Sequence, residues 1–224
     1  MEAAEKPRKL TRTERRSQET RARIISATEA LIRTRPLDDL TIAEITDAAD
    51  VGHGTFYVHF NSKYEVVVPI IHHYSAHWDA AAQAAAAHLE DPAEVVAHAA
   101  RQIGRIIVSD ALYRWFLQHS GVPVEDLRAA LGVFVSRDIQ RGMSSGRFEL
   151  PESDAALDFL FGGIVTGLMS CFGTENPDSA VDDLAEMLLR GLGLSSDEAR
   201  EIAHTSLEKI EVPETPVYSS EARS

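Results

Sequence analysis

The chain has 224 residues, room for one moderate domain or two small ones, and 44% of them are apolar, sufficient for a core without covalent staples. Its single cysteine, Cys171, excludes an intramolecular disulfide framework, and no signal-peptide core or run of about 20 uninterrupted apolar residues is present, which predicts a soluble cytoplasmic protein. The net charge of −13 argues at first against a polyanionic partner, yet residues 1–64 hold eleven basic and ten acidic side chains, so the acid lies in the remainder.

Residues 1–10 read as a disordered basic tail, and Lys6 to Arg23 carries eight bases against Glu14 and Glu19, an excess suited to neutralising phosphates. Thr11 and Glu14 form a capping box, opening a helix whose stripe includes Ile24, Ala27, Thr28 and Leu31. Pro36 stops it, and Leu37 to Leu40 bridge to a second capping box, Thr41 with Glu44. Ile42, Ile45 and Ala49 put one apolar face on this short helix. Asp50, Val51 and Gly52 interrupt it, because Asp tolerates the left-handed conformation and Gly permits tight turns. Beyond His53, Phe56 and Phe60 sit four apart and anchor inward, whereas Thr55, Val58 and His59 project outward. Helix, Gly-containing turn and second helix make a helix-turn-helix, which places its second helix in the DNA major groove.

The run Ala48-Ala49-x-Val51-x-x-Gly54-Thr55-Phe56-Tyr57-x-His59-Phe60-x-x-Lys63 resembles the signature of the TetR (tetracycline repressor) family of bacterial transcription regulators, over the first third of the chain. The resemblance implies that Tyr57 and Lys63 hold phosphates; on the helix-turn-helix reading Thr41 joins them, Thr55 and His59 face base edges and Gly54 permits close approach. Gly52 and His53 complete the expected DNA-binding set. Two departures stand out: Asp50 replaces the family's usual Gly, and Gly52-His53 replaces Ser-Lys, removing a cap and a charge.

After Phe60, Ser62 and Glu65 suggest a third capping box and a long helix running through Ile70, Tyr74 and Trp78 toward Ala87. Pro69 lies inside it, as either a hinge or a fixed bend. Further helices are predicted from Asp91-Pro92, over Ala111 to His119, Glu125 to Ser144, Ser153 to Phe172 and Ser179 to Leu192, and from Ser195. The tail from Val212 reads as disordered, and no segment alternates like a strand.

The Ser153 to Phe172 helix is the most apolar and carries Gly163-x-x-x-Gly167. By resemblance it pairs with the following helix in a four-helix dimer interface, using Phe159, Gly163, Gly167, Val181, Leu184 and Leu188; the alternative is burial within one subunit. Aromatic residues gather between Ile70 and His119, where the family places its effector pocket. Tyr74, Trp78, Trp115, Phe116 and Phe134 are the expected lining, against core packing as the other reading. His73 and His77 are spaced for a transition metal, but no further ligand completes a site, so neither metal nor cofactor is expected. No phosphate loop, nucleophile elbow or Cys-x-x-Cys motif points to an enzyme.

The expected fold is all-α, with a DNA-binding domain at 11–64, a helical effector-binding and dimerisation domain at 65–211, and tails at 1–10 and 212–224. The expected function is a homodimeric repressor that binds a pseudo-palindromic double-stranded DNA operator and is released by a small, largely apolar effector, with no membrane partner. The second reading is a helical small-molecule binder or adaptor that has lost operator recognition, motivated by Asp50, Gly52 and His53.

Overall fold

The computed structural model describes residues 11–118, 133–151 and 153–211. Among them are ten α-helices, one 3-10 turn and no strand, so the architecture is all-α. The described chain forms two compact units, and the boundary between them falls after Val67, inside a helix.

The first unit begins with α1, Arg12–Ile32, capped reciprocally by Thr11 and Glu14. A 3-10 turn, Leu37–Asp39, leads into α2, Ile42–Ala48, and Thr41 and Glu44 close the same box there. The chain leaves α2 through a Schellman arrangement: the Val51 N–H donates to Thr46 O at 3.0 Å and the Asp50 N–H to Asp47 O at 3.2 Å. Asp50 takes a positive φ of 51° to permit this, and among the described residues it is the one non-Gly residue that does. Helix α3 then spans His53–His59. Ile24 of α1, Ile45 of α2 with its cap Ala49, and Phe56, Phe60 and Val66 beyond pack into one buried cluster, which fixes α3 against its neighbours. Each large apolar side chain so buried stabilises by about 1.5–3 kcal/mol.

Helix α4, Lys63–Ala85, carries the chain from the first unit into the second. Ser62 accepts from the Glu65 N–H, but the Glu65 carboxylate turns to the backbone and side-chain amides of Asn61, so the predicted third box is only half formed. Helix α4 runs on through Pro69, whose missing N–H leaves the Glu65 carbonyl without its helical partner.

In the second unit α5, Pro92–Ser109, is the central helix, touched by α6 (Ala111–Gln118), α7 (Val133–Ser144), α8 (Asp154–Cys171), α9 (Pro177–Gly191) and α10 (Ser196–Ala203). A buried ionic cluster ties α5 to α9: Arg101 and Arg105 both reach Asp182, at 2.9 and 2.8 Å. Burial opposes the Asp182 carboxylate, but the two guanidinium groups outweigh it and hold its pKa below the ordinary value. Arg147 bridges Asp91, the α5 cap, to Glu198 on α10. By length and composition alone α8 is apolar enough to cross a membrane. One of its faces nevertheless enters the protein core, where Leu160, Leu168 and Cys171 are buried.

Candidate nucleic-acid interface and ligand cavity

On α3 the inward and outward faces separate as the aromatic spacing requires. Phe56 and Phe60 are buried, while His53, Gly54, Tyr57 and Val58 are exposed, Val58 at 77% and Tyr57 at 51%. Thr55 and His59 are half-buried at the edges of that face, so its centre lies closer to Gly54 and Val58 than the sequence reading placed it. A Cβ built on Gly54 would meet nothing within 4 Å, leaving the backbone open to close approach. Gly52 caps α3 with no side-chain hydrogen bond, and the His53 and Tyr57 rings meet edge to face at 5.4 Å.

Two residues expected to hold phosphate have other partners here. The Lys63 ammonium donates to the carbonyls of Leu37, Asp38 and Leu40 at 2.9, 2.8 and 2.8 Å, which occupies all three of its protons. The Thr41 hydroxyl donates to Glu44 Oε2 at 2.8 Å. Arg35, 2.7 Å from Glu44, leads with Thr41 in drawing the Glu44 pKa down to about 2, so a full negative charge sits beside Thr41. Both side chains therefore read as local structural ties in this structure. Cationic groups remain on α1, where Arg12, Arg15, Arg16 and Arg21 are exposed, and Arg21 also lies over the Phe60 ring at 4.9 Å. Asp50 at the turn is exposed and 3.7 Å from Arg23.

In the second unit a cavity of about 90 Å³ opens between α4, α5, α7, α8 and α9. Its walls are mainly aliphatic and small: Ala99, Ala100, Ile103 and Gly104 of α5 face Ile164 of α8 and Leu184 of α9. Three polar residues also line it, Ser75 and Asp79 from α4 and Asp138 from α7. Asp79 receives Arg137 at 2.8 and 2.9 Å, and Asp138 receives Arg137 and Gln83. Those carboxylates, Asp79 first, raise the Arg137 pKa and keep it charged. The aromatic residues expected to line a pocket do not line this one. Trp78 and Phe116 are fully buried, and Trp78 packs on Tyr113 with ring centroids 4.4 Å apart. Tyr74 and Trp115 are likewise buried away from the cavity wall, and the Phe134 side chain lies outside the described residues. Large rings fill space efficiently, so they make core; a void forms where Ala and Gly meet branched side chains. That contrast of small against branched residues was the signal available in the sequence.

The predicted dimer residues divide. Phe159 is 81% exposed and Gly163 is open, but Val181 and Leu188 are buried within their own chain. Gly167 has a tight intrachain neighbour, since a Cβ there would lie 2.4 Å from Leu184. The α9 stripe thus faces inward toward α5, and the outward positions are Ser179, Asp183, Met187, Arg190 and Gly191. Cys171 is a core thiol whose pKa burial raises.

A three-helix DNA-binding head followed by a helical body with an internal cavity defines a one-component regulator class. Residues 24–69 match the domain described as bacterial regulatory proteins, tetR family, and residues 91–205 match the tetracyclin repressor-like C-terminal domain. A crystal structure of RolR with resorcinol is similar at a TM-score of 0.76 and 30% identity, covering 88% of this chain and 99% of that one. Thermus thermophilus FadR with lauroyl-CoA shares the fold at a TM-score of 0.60 and 21% identity, over 78% of this chain and 96% of that one. The regulator TtgR of Pseudomonas putida is 40% identical over 62 residues, 28% of this chain and 30% of TtgR, so that likeness spans under a third of the curated relative. The chain belongs to the TetR family of bacterial transcriptional regulators, which makes it a helix-turn-helix, DNA-binding regulator and not an enzyme.

Proposed function

We propose that the protein is a ligand-responsive repressor that binds a pseudo-palindromic operator as a homodimer and is released when a small, largely apolar effector enters the cavity of the second unit. The observation that carries it is the dual use of α4: its first residue, Lys63, is bonded into the DNA-binding unit, and Ser75 and Asp79 of the same helix line the cavity. A ligand that prefers one setting of α4 biases the helix that is anchored beside α3, and by linkage DNA weakens ligand binding to the same degree. Gly54, Val58 and Thr55 meet base edges with His53 and His59 flanking, while Tyr57 and the α1 arginines hold phosphates. Two such helices enter successive major grooves about 34–36 Å apart.

The exposed, glycine-lined face of α8 with Phe159, continued by Met187 of α9, supports pairing with a second copy. RolR is described with resorcinol bound, and a cavity of about 90 Å³ restricts the effector to a small molecule. Gel-shift titration across salt concentrations, on the fragment upstream of the protein's own gene and on random DNA, tests the reading. A specific, salt-dependent complex is expected; its absence on every DNA tried returns the protein to the second reading, a helical binder without an operator.

A further inference from the structure

Every polar group on the cavity wall among the described residues is a hydrogen-bond acceptor. Tyr113 has one hydroxyl proton, and it goes to the Ile71 carbonyl at 2.9 Å. The 2.8 Å contact between Ser75 Oγ and Tyr113 Oη must therefore use the Ser75 proton, so Ser75 turns only lone pairs toward the cavity. Asp79 and Asp138 are 6% and 7% exposed, and both line the cavity as carboxylates. Their shared cation, Arg137, is absent from the wall and half exposed, so it lies on the solvent side of the pair. One guanidinium against two carboxylates leaves a net single negative charge at this end. Arg137 engages each oxygen of Asp79 once, at 2.8 and 2.9 Å, and a carboxylate oxygen accepts more than one hydrogen bond.

Resting on the reading of this cavity as the effector site, we infer that its ligand is a small molecule with an apolar body and an O–H or N–H donor, uncharged or cationic, and that carboxylate ligands of the same size are excluded. The donor end meets Asp79, Asp138 and Ser75, and the apolar body lies among Ala99, Ile103 and Ile164. An anion entering here would face two buried carboxylates with no side-chain donor among the described residues to receive it, a desolvation loss without compensation. A donor-bearing ring gains charge-assisted hydrogen bonds in a site shielded from water.

Calorimetric titration of the full chain with phenol, its near-isostere toluene, and benzoate tests this. Phenol is expected to bind about ten- to a hundred-fold more tightly than toluene, the span of one hydrogen bond to a charged group, with benzoate giving no heat. Asp79→Asn replaces an acceptor by a donor and cancels the net charge, so phenol should weaken about tenfold or more while benzoate gains affinity. Should that variant fail to fold by circular dichroism, Ser75→Ala removes one acceptor without a change of charge and should weaken phenol several-fold with toluene unaffected. Toluene or benzoate binding the natural chain as tightly as phenol overturns the ligand class and leaves the cavity as the effector site. No binding by any of the three overturns both.

Discussion

The Nζ of Lys63 lies 2.8 Å from the carbonyl oxygen of Leu40, the residue that closes the 3-10 turn before α2. With the Leu37 and Asp38 carbonyls it forms a three-pronged cap that fastens the start of α4 to the segment preceding the helix-turn-helix. Replacing Lys63 by Met keeps the aliphatic stem and strips the donors from three carbonyls, two of them on the buried residues Leu37 and Leu40. A loss of roughly 2–3 kcal/mol is expected from charged hydrogen bonds of this kind, read as a lowered denaturation midpoint. Lys63→Arg should not restore it, because a planar fork cannot converge on three oxygens as an ammonium does. The salt slope of DNA binding is expected to stay unchanged; a slope reduced by about 1 would show that Lys63 contacts a phosphate after all.

Asp50 adopts a left-handed backbone conformation at the turn, with φ of 51°, and its side chain is fully exposed. Asp50→Gly relieves the Cβ penalty but frees the unfolded chain, so a net gain of about 0.5 kcal/mol is expected in chemical denaturation. The weak pair with Arg23 at 3.7 Å contributes about zero when both partners are exposed. His53 is exposed at the start of α3, and His53→Lys places a permanent charge there. DNA affinity should rise for both variants, and for His53→Lys the log–log salt slope should steepen by about 0.9. If neither variant strengthens binding, the acidic turn is not what limits the interface.

Glu44 makes the first unit sensitive to acid. Its ordinary pKa of 4.5 falls to about 2 in the folded chain, with Arg35 as the leading cause and the Thr41 backbone and hydroxyl next. A folded-state pKa below the unfolded one means that the folded form binds fewer protons. The contribution is then complete above about pH 4.5 and is lost as pH falls toward 2. Glu44→Gln should flatten that part of the stability–pH curve for the first unit, followed by near-ultraviolet circular dichroism of its aromatic residues. An unchanged acid limb would locate the acid sensitivity in other carboxylates.

The local signals of this fold were legible in the chain. Thr11–Glu14 and Thr41–Glu44 act within four residues, and the structure holds both boxes. The left-handed Asp50 followed from a turn that needed such a residue, and Phe56 and Phe60 from a spacing of four. Interactions between distant residues were not legible. Arg101 finds Asp182 across 81 positions and Arg137 finds Asp79 across 58, and only the packing of α5 on α9 and of α7 on α4 decides those partners. The same limit explains the pocket. Aromatic clustering marked out where the core is dense, whereas the void depends on which small residues of α5 happen to oppose α8 and α9. Val181 and Leu188 carried the right spacing for an interface, but spacing cannot say which neighbour a stripe faces.

Phe159 gives the sharpest test of pairing. It is 81% exposed on α8, flanked by Gly162 and Gly163, where a Cβ would meet nothing within 4 Å. Burying a phenylalanine side chain contributes about 1.5–3 kcal/mol, so the two copies together supply roughly 3–6 kcal/mol of gross burial to a symmetric contact, before the ordering costs of association. Phe159→Arg removes that burial and sets a charge against its own symmetry mate. The expected result in sedimentation equilibrium is a shift from dimer to monomer, with dimer affinity reduced at least a hundred-fold and helical content preserved. Operator binding should weaken in parallel, because two half-sites held by one dimer become two separate encounters. A variant that remains dimeric would move the interface off α8, and a natural chain that is monomeric at operator-binding concentrations would remove the dimer altogether.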